Sequence, residues 1–209
     1  MPIEIILIRH GESQHHIKGL TGGWTASPLT TKGERQAKCA AKALAALSPV
    51  SSIDLISSDL IRARQTADII AAHLENVRPT YHQELRELGN GIAKDKTLDA
   101  ARSLALPVTE PAYDWIPYPE AESWRLMSAR VSSFMDTALS QSKAERLLIV
   151  SHGNAMVALV QWWLGLGEAY WNKVSFEFDC ASFTRLTINR WEERVVSKLN
   201  DTTHLSALA

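Results

Sequence analysis

Two histidine–glycine pairs, His10-Gly11 and His152-Gly153, each stand just after a short apolar run, and Arg62 lies a few residues beyond a third. Imidazole is a good nucleophile when one ring nitrogen keeps its lone pair and the other is held as a donor. Arginine's planar fork suits phosphate, and a phosphate monoester carries roughly −1.5 to −2 charges near neutrality. Arg9, Arg62 and one protonated histidine would balance that charge. A glycine after each histidine would let the backbone approach a ligand closely. Singly, each residue has an ordinary reading: a satisfied strand-end histidine, a surface arginine, two turn glycines. Their coincidence is what describes an anion site with a nucleophile in it.

The elements that would position these residues are visible in the hydrophobic pattern. Residues 3–8 and 147–150 are almost wholly apolar and rich in β-branched or Leu residues. They read as strands buried on both faces, as in a parallel sheet, with residues 53–56 a weaker third. In open α/β sheets ligands bind at the carboxyl ends of strands. The segments to inspect are therefore Arg9-His10-Gly11-Glu12-Ser13, Ser57-Ser58-Asp59-Leu60-Ile61-Arg62 and Ser151-His152-Gly153-Asn154. A capping box at Thr31-Lys32-Gly33-Glu34 predicts a helix running to Leu47 and stopped by Ser48-Pro49. Asp59 is the expected N-cap of a helix carrying Arg62, Thr66, Ile69 and Ile70. Further helices are expected over residues 122–139 and 154–164. The period changes to two over residues 174–178 and 183–188, which predicts a hairpin added to the sheet. Residues 90–119 fit neither period. Their prolines and aromatics suggest an irregular cap over one edge, and residues 201–209 a loosely held tail.

The implied fold is α/β: a three-layer sandwich with a mostly parallel central sheet, helices on both faces and a short irregular cap. A length of 209 residues suggests one domain, residues 1–209, with the cap as a segment of it. The formal net charge of −1 offers no global basic field for nucleic acid or anionic membrane. No run reaches the length of a membrane span, and the apolar start is too short for a signal segment. Cys39 and Cys180 form no motif, which fits a reducing, cytoplasmic setting.

The blocks Leu7-Ile8-Arg9-His10-Gly11-Glu12-Ser13, Trp24-x-x-x-Pro28-Leu29-Thr30-x-x-Gly33, Ser57-Ser58-Asp59-Leu60-x-Arg62-Ala63-x-Gln65-Thr66-Ala67, Leu85-x-Glu87, Pro119-x-x-Glu122-Ser123 and Val150-Ser151-His152-Gly153 occur in that order. Together they resemble the histidine phosphatase (phosphoglycerate mutase-like) superfamily, branch 1. The resemblance implies a phosphomonoester hydrolase acting on a small molecule through a phosphohistidine on His10. It implies that Arg9, Arg62 and His152 hold the phosphoryl oxygens. Glu87 would be the general acid and then the base. Spacing matched to the family segment favours Glu87 over Glu84, and Arg86 reads as a surface cation. His16, Gly23 and Asn154 are the further substrate-binding candidates. No cofactor and no metal are implied.

The chain departs from the family pattern at several points. His16 stands where Asn is frequent, His15 where Trp is frequent, and Ala26 where an Asp would anchor the loop. A neutral or charged His16 would still donate to phosphate and would make binding more pH-sensitive. The pair His15-His16 also suggests a metal site, though without the surrounding ligands of a zinc motif. The long basic insertion of the glycolytic mutases is missing. Residues 88–121 hold only Lys94, Lys96 and Arg102, with acids as frequent, which favours hydrolysis over a cofactor-dependent phosphoglycerate mutase. A non-catalytic phosphate-binding module on the same fold is the third reading. Tyr113, Trp115 and Tyr118 either line the pocket or pin the cap, and Trp162, Trp163 and Trp171 belong to the core or to a homodimer interface.

Overall fold

The computed structural model describes residues 4–47 and 49–208. Six strands form one sheet in the order β3-β2-β4-β1-β5-β6: β1 (Glu4–Arg9), β2 (Ile53–Ser58), β3 (Pro79–His82), β4 (Arg146–Ser151), β5 (Phe183–Ile188) and β6 (Arg194–Asp201). β1, β2, β3 and β4 run parallel, and β5 and β6 close one side antiparallel. The helices are α1 (Gln14–Ile17), α2 (Thr31–Ala45), α3 (Ile61–Ala71), α4 (Leu98–Arg102), α5 (Trp124–Gln141), α6 (Gly153–Trp163) and α7 (Glu168–Trp171). No described helix is long and apolar enough to cross a membrane.

Strand side chains alternate between the two faces of a sheet. Ile5 and Leu7 of β1, with Leu147 and Ile149 of β4, pack against Met127, Val131 and Met135 of α5 and Met156 and Leu159 of α6. Ile6, Ile8, Leu148 and Val150 face the other way, onto Ala41 and Leu44 of α2 and Ala63, Ala67 and Ile70 of α3. The two apolar clusters make the three layers and the mostly parallel sheet that the continuous apolar runs implied. Burying each such side chain contributes roughly 1.5–3 kcal/mol.

Register then fixes the site. Arg9 pairs with Ser151 across β1 and β4, and Ser57 pairs with Val150 across β2 and β4. His10, Ser58 and His152 therefore emerge side by side at one edge, and the His10 amide donates to the Ser151 carbonyl at 3.0 Å.

Several local expectations are corrected. Thr30, not Thr31, caps α2, accepting from the Gly33 amide at 3.0 Å, and the helix ends at Ala45 rather than Leu47. Ser48, half of the expected stop, and Ile3 lie outside the described residues. Asp59 caps nothing: Leu60 is the N-cap of α3, and Arg86 holds Asp59 through two bonds of 2.7 and 2.6 Å. Arg86 also lies 5.1 Å from the Trp24 ring, so it is a structural cation and not a free surface one. Glu122 precedes α5, which begins at Trp124. Residues 174–178 are not a strand, because side chains take their carbonyls. Gln161 donates to Val174 at 2.8 Å and Arg9 to Phe178 at 2.5 Å. The hairpin is β5 with β6. Residues 201–208 are held, with His204 stacked on Phe183 at 4.2 Å and bonded to the Ala181 carbonyl at 2.9 Å.

Candidate active site

His10 is the first residue after β1 and is 2% exposed. Its Nδ1 lies 2.7 Å from the Gly11 carbonyl and must donate to it, while Nε2 accepts from Arg62 Nε at 3.1 Å. These two bonds fix the tautomer: the proton sits on Nδ1 and the lone pair on Nε2. Gly11 serves this geometry in an unexpected way. A Cβ there would lie 2.5 Å from the Gly33 carbonyl, so the glycine lets the loop dock on the start of α2. The Gly11 amide is held by Thr66 of α3 at 3.2 Å. At Gly153 the nearest atoms to a Cβ would be Glu87 Oε2 at 3.8 Å and the Arg9 guanidinium at 3.9 Å, so the backbone there borders the site groups with no protein clash that requires glycine.

Arg62 is 1% exposed. Besides His10 it donates to the Thr25 carbonyl at 3.1 Å and the Gly23 carbonyl at 2.8 Å. Gly23 has φ +62°, a left-handed conformation, and a Cβ would come within 3.0 Å of Asn90. The loop around Ala26 keeps its anchors without an aspartate. Trp24 donates to the Glu87 carbonyl at 2.7 Å, and the Ser27 hydroxyl accepts from the His15 amide at 2.8 Å.

His16 stacks on His10, with centroids 5.7 Å apart and planes 10° apart. Its Nδ1 accepts from the Ser13 amide at 3.2 Å, which places the ring proton on Nε2. That Nε2 lies 3.5 Å from Arg9 Nη2, another obligate donor. Arg9 Nε is buried without a partner. Donors with no acceptor between them converge on the cavity, the arrangement an anion completes. His152 is fully buried, 5.0 Å from His10 between ring centroids. Its Nε2 meets the Ser58 hydroxyl at 2.8 Å, and its Nδ1 has no partner. When Ser58 donates, Nδ1 carries the proton and is a third unsatisfied donor beside the nucleophile.

Glu87 Oε1 accepts from the Leu88 amide at 2.9 Å and Oε2 from the Asn154 amide at 3.3 Å, at the start of α6. The segment carrying it is held by Arg130, which donates to the Glu84 carbonyl at 2.7 Å and the Glu87 carbonyl at 3.1 Å while paired with Glu122. Glu122 in turn accepts from the Gly89 amide at 2.9 Å. A cavity of about 170 Å³ is lined by Arg9, His10, His15, His16, Gly22, Gly23, Arg62, Glu87, Leu88, Asn90 and Asn154. Every site residue expected from the sequence lines it except His152, which lies buried beside His10. Glu84 lies elsewhere.

Burial, reinforced by Arg62, His152 and Arg9, holds His10 well below the usual imidazole range. Burial and the same two arginines lower His152 likewise. Burial first, then neighbouring positive charge, pushes His15 down to about 3 and His16 to about 4. Arg62 is lowered by burial to about 10 and stays charged. In the free protein all four histidines are held toward their neutral form, and Arg9 and Arg62 carry the positive charge. Among the described residues no group of three or more His, Cys, Asp or Glu could hold a metal, so His15-His16 has no third ligand.

The sequence reading gave no role to Asn90, Thr66, Ser58 or Arg130. Thr66, Ser58 and Glu122 lie inside quoted motifs, whereas Arg130 sits on α5 at an ordinary helical spacing and carries no local signal.

The histidine phosphatase superfamily (branch 1) model matches residues 5–202, and the chain belongs to that superfamily. Proteins named "Probable phosphoglycerate mutase GpmB" from Salmonella paratyphi C and Escherichia coli are 31% identical over 221 aligned residues, which cover 99% of this chain and 97% of theirs. The alpha-ribazole phosphatase from Shigella flexneri superposes with a TM-score of 0.77 at 25% identity, over 95% of this chain and 96% of that one. Mycobacterial glucosyl-3-phosphoglycerate phosphatase bound to VO3 superposes at 0.80, over 95% and 99%; at 23% identity this likeness shows the fold. Membership makes the chain a phosphoryl-transfer enzyme of the phosphatase and mutase kind.

Proposed function

We propose that the chain hydrolyses small phosphomonoesters through a phosphohistidine on Nε2 of His10. The observation that carries this reading is the fixed tautomer: Nδ1–H bound to Gly11 and a neutral Nε2 lone pair beside Arg62. The ester's phosphoryl oxygens take the open donors of Arg9, His16 and His152, and Arg62 turns its Nε–H from His10 to the phosphate. Nε2 attacks phosphorus, the P–O ester bond breaks, and Glu87 gives its proton to the leaving oxygen. Water then attacks the phosphohistidine, Glu87 takes its proton, and the P–N bond breaks, returning the lone pair to Nε2. Fixed positive donors stabilise the charge spread over the phosphoryl oxygens in both steps. Asn154 lends its amide to Glu87, and Gly23 holds Arg62. Neither step calls on a metal, because Arg9 and Arg62 neutralise the phosphoryl group.

The names of the 31% identical relatives favour a second reading, phosphoglycerate mutase. That activity needs a grip on the substrate carboxylate and exclusion of water. The short cap, with acids as frequent as bases, speaks for hydrolysis. Steady-state release of phosphate from an aryl phosphate, lost in His10→Ala, tests the proposal. Bisphosphate-primed interconversion of 2- and 3-phosphoglycerate at a higher rate than hydrolysis would replace it with the mutase. Silence in both assays would leave a phosphate-binding module.

A further inference from the structure

Beyond Leu88 the site cavity adjoins a second one, of about 280 Å³, lined by Tyr113, Trp115, Trp124, Trp171, Val157 and Glu122 among others. Leu88 lines both cavities and directly follows Glu87. A second wall is also shared: Asn154 lines the first and Val157 the second, three residues apart on one face of α6. A substrate whose phosphate sits at His10 and whose ester oxygen sits at Glu87 would pass its remaining body along Leu88 and Val157 into this space.

The chemistry of the walls is specific. Tyr113 and Trp171 meet edge to face, 5.6 Å apart at 88°. The indole N–H groups of Trp115 and Trp171 are satisfied by the carbonyls of Leu106 and Leu166, each at 3.2 Å, so the rings offer hydrocarbon. Arg125 lies 4.8 Å from the Tyr113 ring and 6.0 Å from that of Trp171, and it is ion-paired with Asp114 and Glu168. It ties the turn at residues 112–114 to α7. Among the described residues lining this cavity none is Lys, Arg or His, and its one charged member, Glu122, is paired with Arg130. Trp124 adds a buried indole N–H without a partner. An anionic body finds no counter-charge here, whereas a flat apolar ring with a hydrogen-bond acceptor does find its partners.

We infer that this cavity is the leaving-group subsite and that the enzyme selects phosphomonoesters of neutral, ring-bearing alcohols. The inference rests on the phosphatase reading of the His10 site. Its test is steady-state kinetics of the whole chain on 1-naphthyl phosphate, glycerol 2-phosphate and 3-phosphoglycerate. Naphthol is the better leaving group, so wild type should favour naphthyl phosphate with or without the subsite, and the change of ratio in the variants carries the test. In Trp115→Ala the ratio of kcat/KM for naphthyl over glycerol phosphate should fall about tenfold, through KM, because stacking is lost for only one substrate. Ser175→Trp, at an exposed position lining the cavity, fills it without touching the core, should lower the same ratio and guards against a Trp115 variant that misfolds. An unchanged ratio in both variants, or a wild-type preference for 3-phosphoglycerate, overturns the subsite while leaving the phosphatase reading intact. Failure of wild type to release phosphate from any of the three defeats the phosphatase reading itself.

Discussion

The cavity around His10 is lined by two arginines, three histidines and a glutamate, whereas the one beyond Leu88 is lined by four aromatic rings and no free charge. Their positions in the chain differ as much as their chemistry. The polar groups of the first come chiefly from the carboxyl ends of β1, β2 and β4 and the turns just after them, where register between buried strands fixes each side chain. The walls of the second come from irregular stretches near residues 112–117 and 171–175 and from single positions on α5 and α6. A rigid, charged centre of this kind suits chemistry common to all phosphomonoesters, and an apolar annex built on loops suits the choice among them.

The sharpest way to break this division is to alter the group at the boundary. Glu87→Gln should slow glycerol 2-phosphate by about 10²–10⁴-fold and p-nitrophenyl phosphate by about tenfold or less, since a good leaving group needs little help from an acid. Equal slowing of both would place Glu87 in folding or binding and blur the two regions. Next in size is His16. It donates from a neutral ring beside Arg9, so His16→Ala should lower kcat/KM by roughly ten- to a hundredfold for every substrate, aryl or alkyl, as for a hydrogen bond to a charged group. His16→Asn should recover most of it. A loss confined to aryl phosphates would move His16 into the second region.

The charged centre also has a cost in acid that the aromatic annex does not. His10, His15, His16 and His152 are all held below their ordinary value near 6.5. Below that pH the unfolded chain takes up protons that the folded chain refuses, so stability is full above 6.5 and falls as pH drops toward about 4. Each histidine contributes a slope of up to about 1.4 kcal/mol per pH unit. Urea unfolding midpoints at pH 7.5 and 5 should show the loss, and His15→Gln should lessen it by about one histidine's share. A chain equally stable at both values would contradict the assignment of neutral rings. The smallest expected effect is none: exhaustive chelation should leave turnover unchanged, and loss restored by Mg²⁺ or Zn²⁺ would revive a metal role for His15 and His16.

The same contrast explains what was legible in the sequence. Buried parallel strands announce themselves as unbroken apolar runs, and the residues after them follow at fixed offsets, so His10, Arg62 and His152 could be placed beforehand. β3 was missed because Pro79-Thr80-Tyr81-His82 is short, begins with proline and sits at an edge, half-exposed. Residues 174–178 alternate as a strand does, yet Arg9 and Gln161 claim carbonyls a ladder would need. That competition is tertiary and leaves no local trace. The same holds for Asp59, taken by Arg86 from 27 residues away, and for Arg130, which holds the Glu87 segment from α5. Tyr113 and Trp115 were visible as aromatics, but their meeting with Trp124 and Trp171 depends on a cap with no periodicity.

The central claim is that phosphate passes through Nε2 of His10. Rapid quench of the chain with a ³²P-labelled phosphomonoester, followed by acid and base treatment and peptide mapping, reads this directly. The account predicts label that is acid-labile, base-stable and confined to the peptide bearing His10, and absent from His10→Ala, which should also show no turnover. Label on any other residue, or undiminished turnover in His10→Ala, would contradict it.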